Sequence, residues 1–249
     1  MDIWKYYDII HRHHSLMNPL DDKKLEELFK LLQIRSQASV TDIGCGKGEM
    51  LIRLAEGNEI KGVGVDKSPY CIREAERRKT ERVSQADLKF LNMDGADYKP
   101  ETPESEDLTM CIGASWIYGG YKKTLKALSQ MTKRSGRIMV GEPFWKKTPP
   151  QEYLRREKVS RNLYDTHEGN VKDGEKFGLG PIFALVSSDS DWDKYEGLHW
   201  YSLREYVNSH PEDPDLKDLL ARGSKERETY LKYERPLFGW AVYLFQKTS

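Results

Sequence analysis

The chain has 249 residues, 38 % of them apolar, and its 40 basic side chains balance 40 acidic ones. That length can bury one full core, so a single domain with insertions is expected, and the neutral total leaves no global field to hold a polyanion. No apolar run reaches the roughly 20 residues of a membrane span, and the first residues lack the apolar centre of a secretory signal; a soluble, cytoplasmic protein with no membrane partner is expected.

The first element, residues 2–14 (DIWKYYDIIHRHH), has the 3.6-residue period of an amphipathic helix. Ile3, Trp4, Tyr7, Ile10, His11 and His14 share one face, with His13 outside it. His11 and His14 match metal-ligand spacing only loosely and no third ligand follows nearby, so packing histidines and no metal site are expected.

A strand at Ser39 to Ile43 then runs through VTDIGCGKGEM, residues 40–50, into a helix at Glu49 to Glu56. Alternate glycines at a strand-to-helix turn let a ligand lie against bare backbone. Gly44 can take an angle that a side chain forbids, Gly46 permits close approach, and Gly48 opens a helix whose free amides favour a carboxylate. The spacing is G-x-G-x-G, not the dinucleotide G-x-G-x-x-G. Further strands at Ile60 to Val65, Leu88 to Asn92, Asp107 to Ile112 and Arg137 to Gly141 alternate with helices at Pro69 to Arg82 and Tyr121 to Thr132. This alternation predicts a doubly wound α/β sheet with its ligand at the carboxyl ends of the strands.

The second strand ends in Asp66, followed by Lys67 and Ser68; a carboxylate there can accept from both hydroxyls of a ribose. The third ends in Asp94, Gly95 and Ala96, and the fourth in Cys111, Ile112 and Gly113, opposite the glycine turn. Ser115, Trp116, Ile117 and Tyr118 then supply an aromatic wall that could face a substrate. The fifth strand ends in Glu142, a carboxylate able to orient a substrate or take its proton. Cys45, Cys71 and Cys111 have no C-x-x-C spacing and read as reduced, buried small hydrophobes.

After Trp145 come a charged helical stretch near Gln151 to Tyr164, a glycine-rich loop THEGNVKDGEKFGLG and a strand at Pro181 to Ser187. Helical runs around Ser202 to Ser209 and Asp215 to Tyr233 lead to a closing strand in LFGWAVYLFQK. Two basic stretches, one holding Arg73, Arg77, Arg78, Lys79 and Arg82, the other Lys146, Lys147, Arg155, Arg156, Lys158 and Arg161, read as solvated helix faces.

Asp42, Gly44, Gly46 and Gly48 fill every fixed position of D/E-x-G-x-G-x-G, and over residues 40–145 the chain resembles the class I S-adenosylmethionine-dependent methyltransferases. The resemblance implies a Rossmann-like sheet of seven strands in the order 3-2-1-4-5-7-6, the last antiparallel. It divides one domain into N-terminal lid helices (1–35), a cofactor core (36–145), substrate-covering segments (146–235) and the last strand (236–249). It also implies that Asp42, Gly44, Cys45, Gly46, Gly48, Asp66, Lys67, Ser68, Asp94, Gly95, Ala96, Cys111, Ile112 and Gly113 bind S-adenosylmethionine. Asp94 would accept from the adenine amino group, and the carbonyls of Cys111, Ile112 and Gly113 would face the methionine amino group.

The activity implied is methyl transfer to a nucleophile, leaving S-adenosylhomocysteine. The candidate substrate-pocket or lid residues are Glu142, Trp116, Tyr7, His11, His14 and His199. The fourth strand lacks the N/D-P-P-Y/F and Pro-Cys signatures, so two nucleic-acid subclasses lose support, and a small-molecule acceptor is what the resemblance implies. A protein or RNA acceptor and a non-catalytic binding module remain as alternatives, and the chain is expected to be a monomer or homodimer.

Overall fold

In a computed structural model of the chain, which describes residues 1–248, seven strands form one sheet. They are β1 (Ala38–Ile43), β2 (Ile60–Asp66), β3 (Asp87–Asn92), β4 (Glu106–Ile112), β5 (Thr132–Trp145), β6 (Leu179–Val186) and β7 (Phe238–Lys247). Their order is β3-β2-β1-β4-β5-β7-β6, and β7 runs antiparallel to both neighbours. β5 extends beyond the expected Gly141 because β7 pairs along it as far as Trp145 opposite Phe238.

The helices are α1 (Ile3–Ile10), α2 (Asp22–Leu32), α3 (Glu49–Gly57), α4 (Pro69–Arg82), α5 (Tyr121–Met131), α6 (Gln151–Glu157), α7 (His167–Lys176), α8 (Asp189–Ser209) and α9 (Leu216–Thr229). Leu25 and Leu28 of α2, Leu51 of α3 and Ala75 of α4 cover one face of the sheet, with Leu88, Met110 and Val242 beneath them. Leu125 and Leu128 of α5, with Val171 of α7, cover the other face over Val140, Tyr243 and Phe245. The start of α4 follows local rules: Pro69 occupies its first turn, and the Ser68 hydroxyl accepts from the Cys71 amide at 3.3 Å.

Three expectations are corrected. The glycine-rich stretch at 166–180 holds a helix, α7, capped by the Thr166 hydroxyl accepting from the Gly169 amide at 3.0 Å. Its glycines serve packing rather than flexibility, since a Cβ on Gly174 would lie 2.3 Å from the Phe245 ring. At the N-terminus α1 stops at Ile10, so the stripe does not continue to His14 as one helix face. The buried face is carried instead by Tyr6, Ile9 and Ile10 against Leu203 and Tyr206 of α8 and Leu219 of α9. Finally, α8 begins at Asp189, well before the expected Ser202, with Ser188 and Asp191 forming a reciprocal capping box.

Three of the five cations in the first basic stretch are paired within the chain. Arg78 and Arg82 each reach the buried Glu49 carboxylate at 2.8 Å, and Arg77 pairs with Glu74 and Glu81. No helix among the described residues is long and apolar enough to cross a membrane.

Candidate active site

Two adjoining cavities lie at the carboxyl ends of the central strands. The smaller, about 550 Å³, is floored by the turn after β1. The amides of Gly44 and Cys45 both donate to the Val65 carbonyl, at 2.8 and 3.0 Å, which folds this turn over the end of β2. Gly44 has φ +73° and Gly46 φ +53°, the left-handed region where a side chain is strained. A Cβ at Gly44 would lie 2.5 Å from that of Ala114, so the turn has no room for one.

Asp66 faces the turn from the end of β2. Its carboxylate accepts from the Gly46 amide at 2.9 Å and from the Ser68 amide at 2.8 Å. Burial pushes its pKa up, and these amides oppose the shift. Beyond β3, Asp94 accepts from Lys67 Nζ at 2.9 Å and from the Ala96 amide at 3.0 Å, and the ammonium holds its carboxyl below the usual range. Asp42 is buried with Oδ1 unpartnered; burial, then the nearby Asp66, raises it to about 7.

Gly48, Ala96 and Cys111, expected to touch a ligand, do not line this cavity; the other expected cofactor residues do. Gly48 seats the Phe90 ring, 2.6 Å from where its Cβ would be. The Ala96 amide is spent on Asp94. Cys111 is fully buried in the sheet, in register with Val140, and burial raises its thiol far from reactivity.

The opposite wall comes from the N-terminus and α8. Tyr7 and His11 line it, joined by Met17, Asn18 and Tyr195, none of which sequence reasoning singled out. Only the Asn18–Pro19 pair, a turn signal after an amphipathic helix, marks the segment in the sequence. Buried Lys47 fastens this wall to the glycine turn, its Nζ donating to the His11 carbonyl at 2.6 Å. Burial lowers its pKa.

The larger cavity, about 1260 Å³, meets the smaller at Met17, Asn18, Gly113, Trp116 and Tyr195. Asn18 Oδ1 is buried there without a partner. Glu142, on the floor, is 2 % exposed, and its Oε2 has no partner. Burial pushes its pKa to about 7, opposed by the Ser115 hydroxyl. Tyr121, Trp145, Tyr164, Trp192 and Trp240 supply aromatic walls, and Lys122, Lys123, Lys147 and Arg161 stand around them. Trp116, 65 % exposed, borders both cavities. Tyr118 belongs to neither lining, since its hydroxyl donates to the Gly95 carbonyl at 3.1 Å.

His14 and His199 reach neither of these two cavities, because both turn toward His11. His199 supplies the third histidine that local sequence did not show: one ring nitrogen from each of the three lies within 4.8 Å of the others. Burial holds His11 well below the ordinary histidine range and lowers His14 to about 3, with His199 contributing to both shifts.

Comparison with known proteins agrees with this architecture. The methyltransferase domain family matches residues 34–195. The chain is 29 % identical to the uncharacterized protein YjhP of Escherichia coli K12, covering 98 % of each. Among solved structures it resembles the S-adenosylmethionine-dependent methyltransferase of Thiobacillus denitrificans (31 % identity, TM-score 0.88, 98 % of this chain and 99 % of that one). It likewise resembles that of Geobacter sulfurreducens (27 % identity, TM-score 0.90, 98 % of each chain). Both hold S-adenosyl-L-homocysteine. The chain belongs to the methyltransferase domain family and is an S-adenosylmethionine-dependent methyltransferase of the class I fold.

Proposed function

We propose that the acceptor is a small molecule that enters the larger cavity and receives the methyl group by direct in-line displacement at the junction of the two cavities. The observation that carries this reading is Glu142: a buried carboxylate with a free oxygen, on the floor of an aromatic cleft contiguous with the cofactor cavity. A buried acceptor atom with no protein partner is costly unless a ligand satisfies it. An acceptor N–H or O–H aimed at Glu142 Oε2 does so, and a carboxylate poised near 7 can then take the proton that methylation releases.

The smaller cavity fits the cofactor. Asp66 keeps lone pairs beyond the two amides it accepts and can receive ribose hydroxyls; Asp94 and Gly95 would meet the adenine. Gly44, Gly46 and Gly113 would lie against the methionine portion, with the unpartnered Asp42 carboxylate behind them. The bound sulfonium supplies an activated methyl on a good leaving group. The chain's own contribution is alignment and exclusion of water, for which Tyr7 and His11 act as lid residues and Trp116 as a wall shared by both cavities. The division into lid (1–35), core (36–145), covering segments (146–235) and last strand belongs to the same reading.

The test is to incubate cell extract and methyl-labelled S-adenosylmethionine with and without the enzyme, and to resolve labelled products from the methyl donor by chromatography. A new labelled small molecule that depends on the enzyme is the expected result, and enzyme-dependent label found only in protein or RNA would overturn the proposal.

A further inference from the structure

We propose that His11, His14 and His199 form a binding site for one divalent transition-metal ion of the zinc type, which ties the end of α1 to α8. The three side chains come from opposite ends of the chain, 188 residues separating His11 from His199, yet the His11 ring packs edge to face on both of the others. His11 Nδ1 and His199 Nε2 lie 3.3 Å apart. That is about the ligand-to-ligand spacing that zinc–nitrogen bonds of about 2.0–2.1 Å impose in a tetrahedron. A nitrogen of the third ring lies within 4.8 Å, so closing the set needs a shift of no more than about 1.5 Å.

The partners of the other ring nitrogens fix which atoms are free. His14 Nε2 lies 3.0 Å from the Tyr195 carbonyl, which can only accept, so this nitrogen carries the proton and Nδ1 carries a lone pair. His14 Nδ1 is buried and has no partner at all. His199 Nδ1 lies 3.3 Å from a Glu196 carboxylate oxygen, again an acceptor, which leaves the lone pair on Nε2, facing His11. A carboxylate and a backbone carbonyl each holding the distal N–H of a histidine are the outer contacts that orient metal-ligating imidazoles.

His14 Nδ1, which has no partner, and the facing His11 Nδ1 and His199 Nε2 can offer lone pairs to a cation, each ring keeping its proton on the other nitrogen. Three neutral imidazoles select zinc, copper, nickel or cobalt over magnesium or calcium, which prefer oxygen. Lys47, held at the His11 carbonyl, adds a like charge on one side, and Glu196 opposes it on the other.

Chelator-stripped full-length protein, titrated calorimetrically with zinc chloride and by absorbance with cobalt(II) chloride, tests the site. We expect one equivalent of each, mutually competitive, with the intense visible bands of four-coordinate cobalt. His14→Ala and His199→Ala should abolish saturable uptake with the far-ultraviolet dichroism retained. Glu196→Gln, which spares all three ligands, should weaken zinc by about 10- to 100-fold, and His13→Ala, on an exposed side chain, should leave uptake intact. Absence of saturable zinc uptake by the wild-type protein, or uptake that survives His14→Ala and Glu196→Gln unchanged, would overturn the assignment.

Discussion

The floor of the smaller cavity is formed at the ends of four strands, β1 to β4, whereas the larger is lined mainly by the segments that follow β4 and β5, with Trp192 and Trp240 from farther along the chain. The first kind of wall depends on a few short motifs whose spacing the sheet itself dictates. The second depends on how covering segments fold back, and it can change without disturbing the sheet. Under the proposed reading, a cofactor site of the first kind and an acceptor site of the second would let one fold keep its methyl donor while its acceptors diverge.

The sharpest way to break that contrast is to attack the half formed at the strand ends. Gly46→Arg adds a side chain at φ +53°, 3.1 Å from Met17 Sδ, and Asp66→Ala removes the carboxylate that accepts from the Gly46 and Ser68 amides. Each should lower S-adenosylhomocysteine affinity by about a hundredfold or more, on the order of 3 kcal/mol, with the fold intact by circular dichroism. Unchanged affinity in calorimetry would mean that the ligand lies elsewhere.

Glu142→Gln probes the other half. It should lower turnover by about 10²- to 10⁴-fold while S-adenosylhomocysteine affinity holds, because the residue lines only the larger cavity. With the carboxyl at about 7, wild-type turnover should rise through neutrality as the base form appears, and the variant's profile should lose that limb. Equal losses of cofactor affinity and turnover would erase the distinction between the cavities.

The same residue makes a smaller prediction about stability. Its folded pKa, about 7, is raised from an ordinary 4.5, so its favourable contribution is complete below about 4.5 and is lost as pH rises through 7. Asp42, also at about 7, acts in the same direction, and buried His14, depressed to about 3, acts oppositely as pH falls below its ordinary range. Glu142→Gln should therefore gain up to about 3 kcal/mol on wild type between about pH 4 and pH 8 in denaturant unfolding. A difference independent of pH would show that Glu142 is not a buried titrating group.

The smallest effect belongs to Trp116, which borders both cavities yet is mostly exposed. Trp116→Ala should raise acceptor KM and weaken S-adenosylhomocysteine by several-fold each, about 1 kcal/mol. A change confined to one ligand would assign the ring to that cavity alone.

Legibility in the sequence follows the same division. Asp42, Gly44, Gly46, Asp66 and Asp94 stand out in the bare sequence because each sits at the end of an apolar run, and a strand end is a local property. Glu142 is legible for the same reason. Gly48 is found by position and does open α3, but its second role, seating Phe90, is a contact with another strand that local spacing does not show. Gly169 and Gly174 suggest a loop because composition does not reveal that the helix needs bare positions against Asp165 and Phe245. Asn18 and Tyr195 escape notice, and His199 is not joined to His11, because their neighbours are far away in the chain.

The most direct test of the central claim, that the cofactor cavity opens onto Glu142, is a crystal structure of this protein with S-adenosylhomocysteine bound. We expect ribose hydroxyls on Asp66 and the sulfur at the junction formed by Asn18 and Gly113, with its methyl direction open to the cleft above Glu142. A sulfur directed toward the His11–His199 side, with protein between it and Glu142, would contradict it.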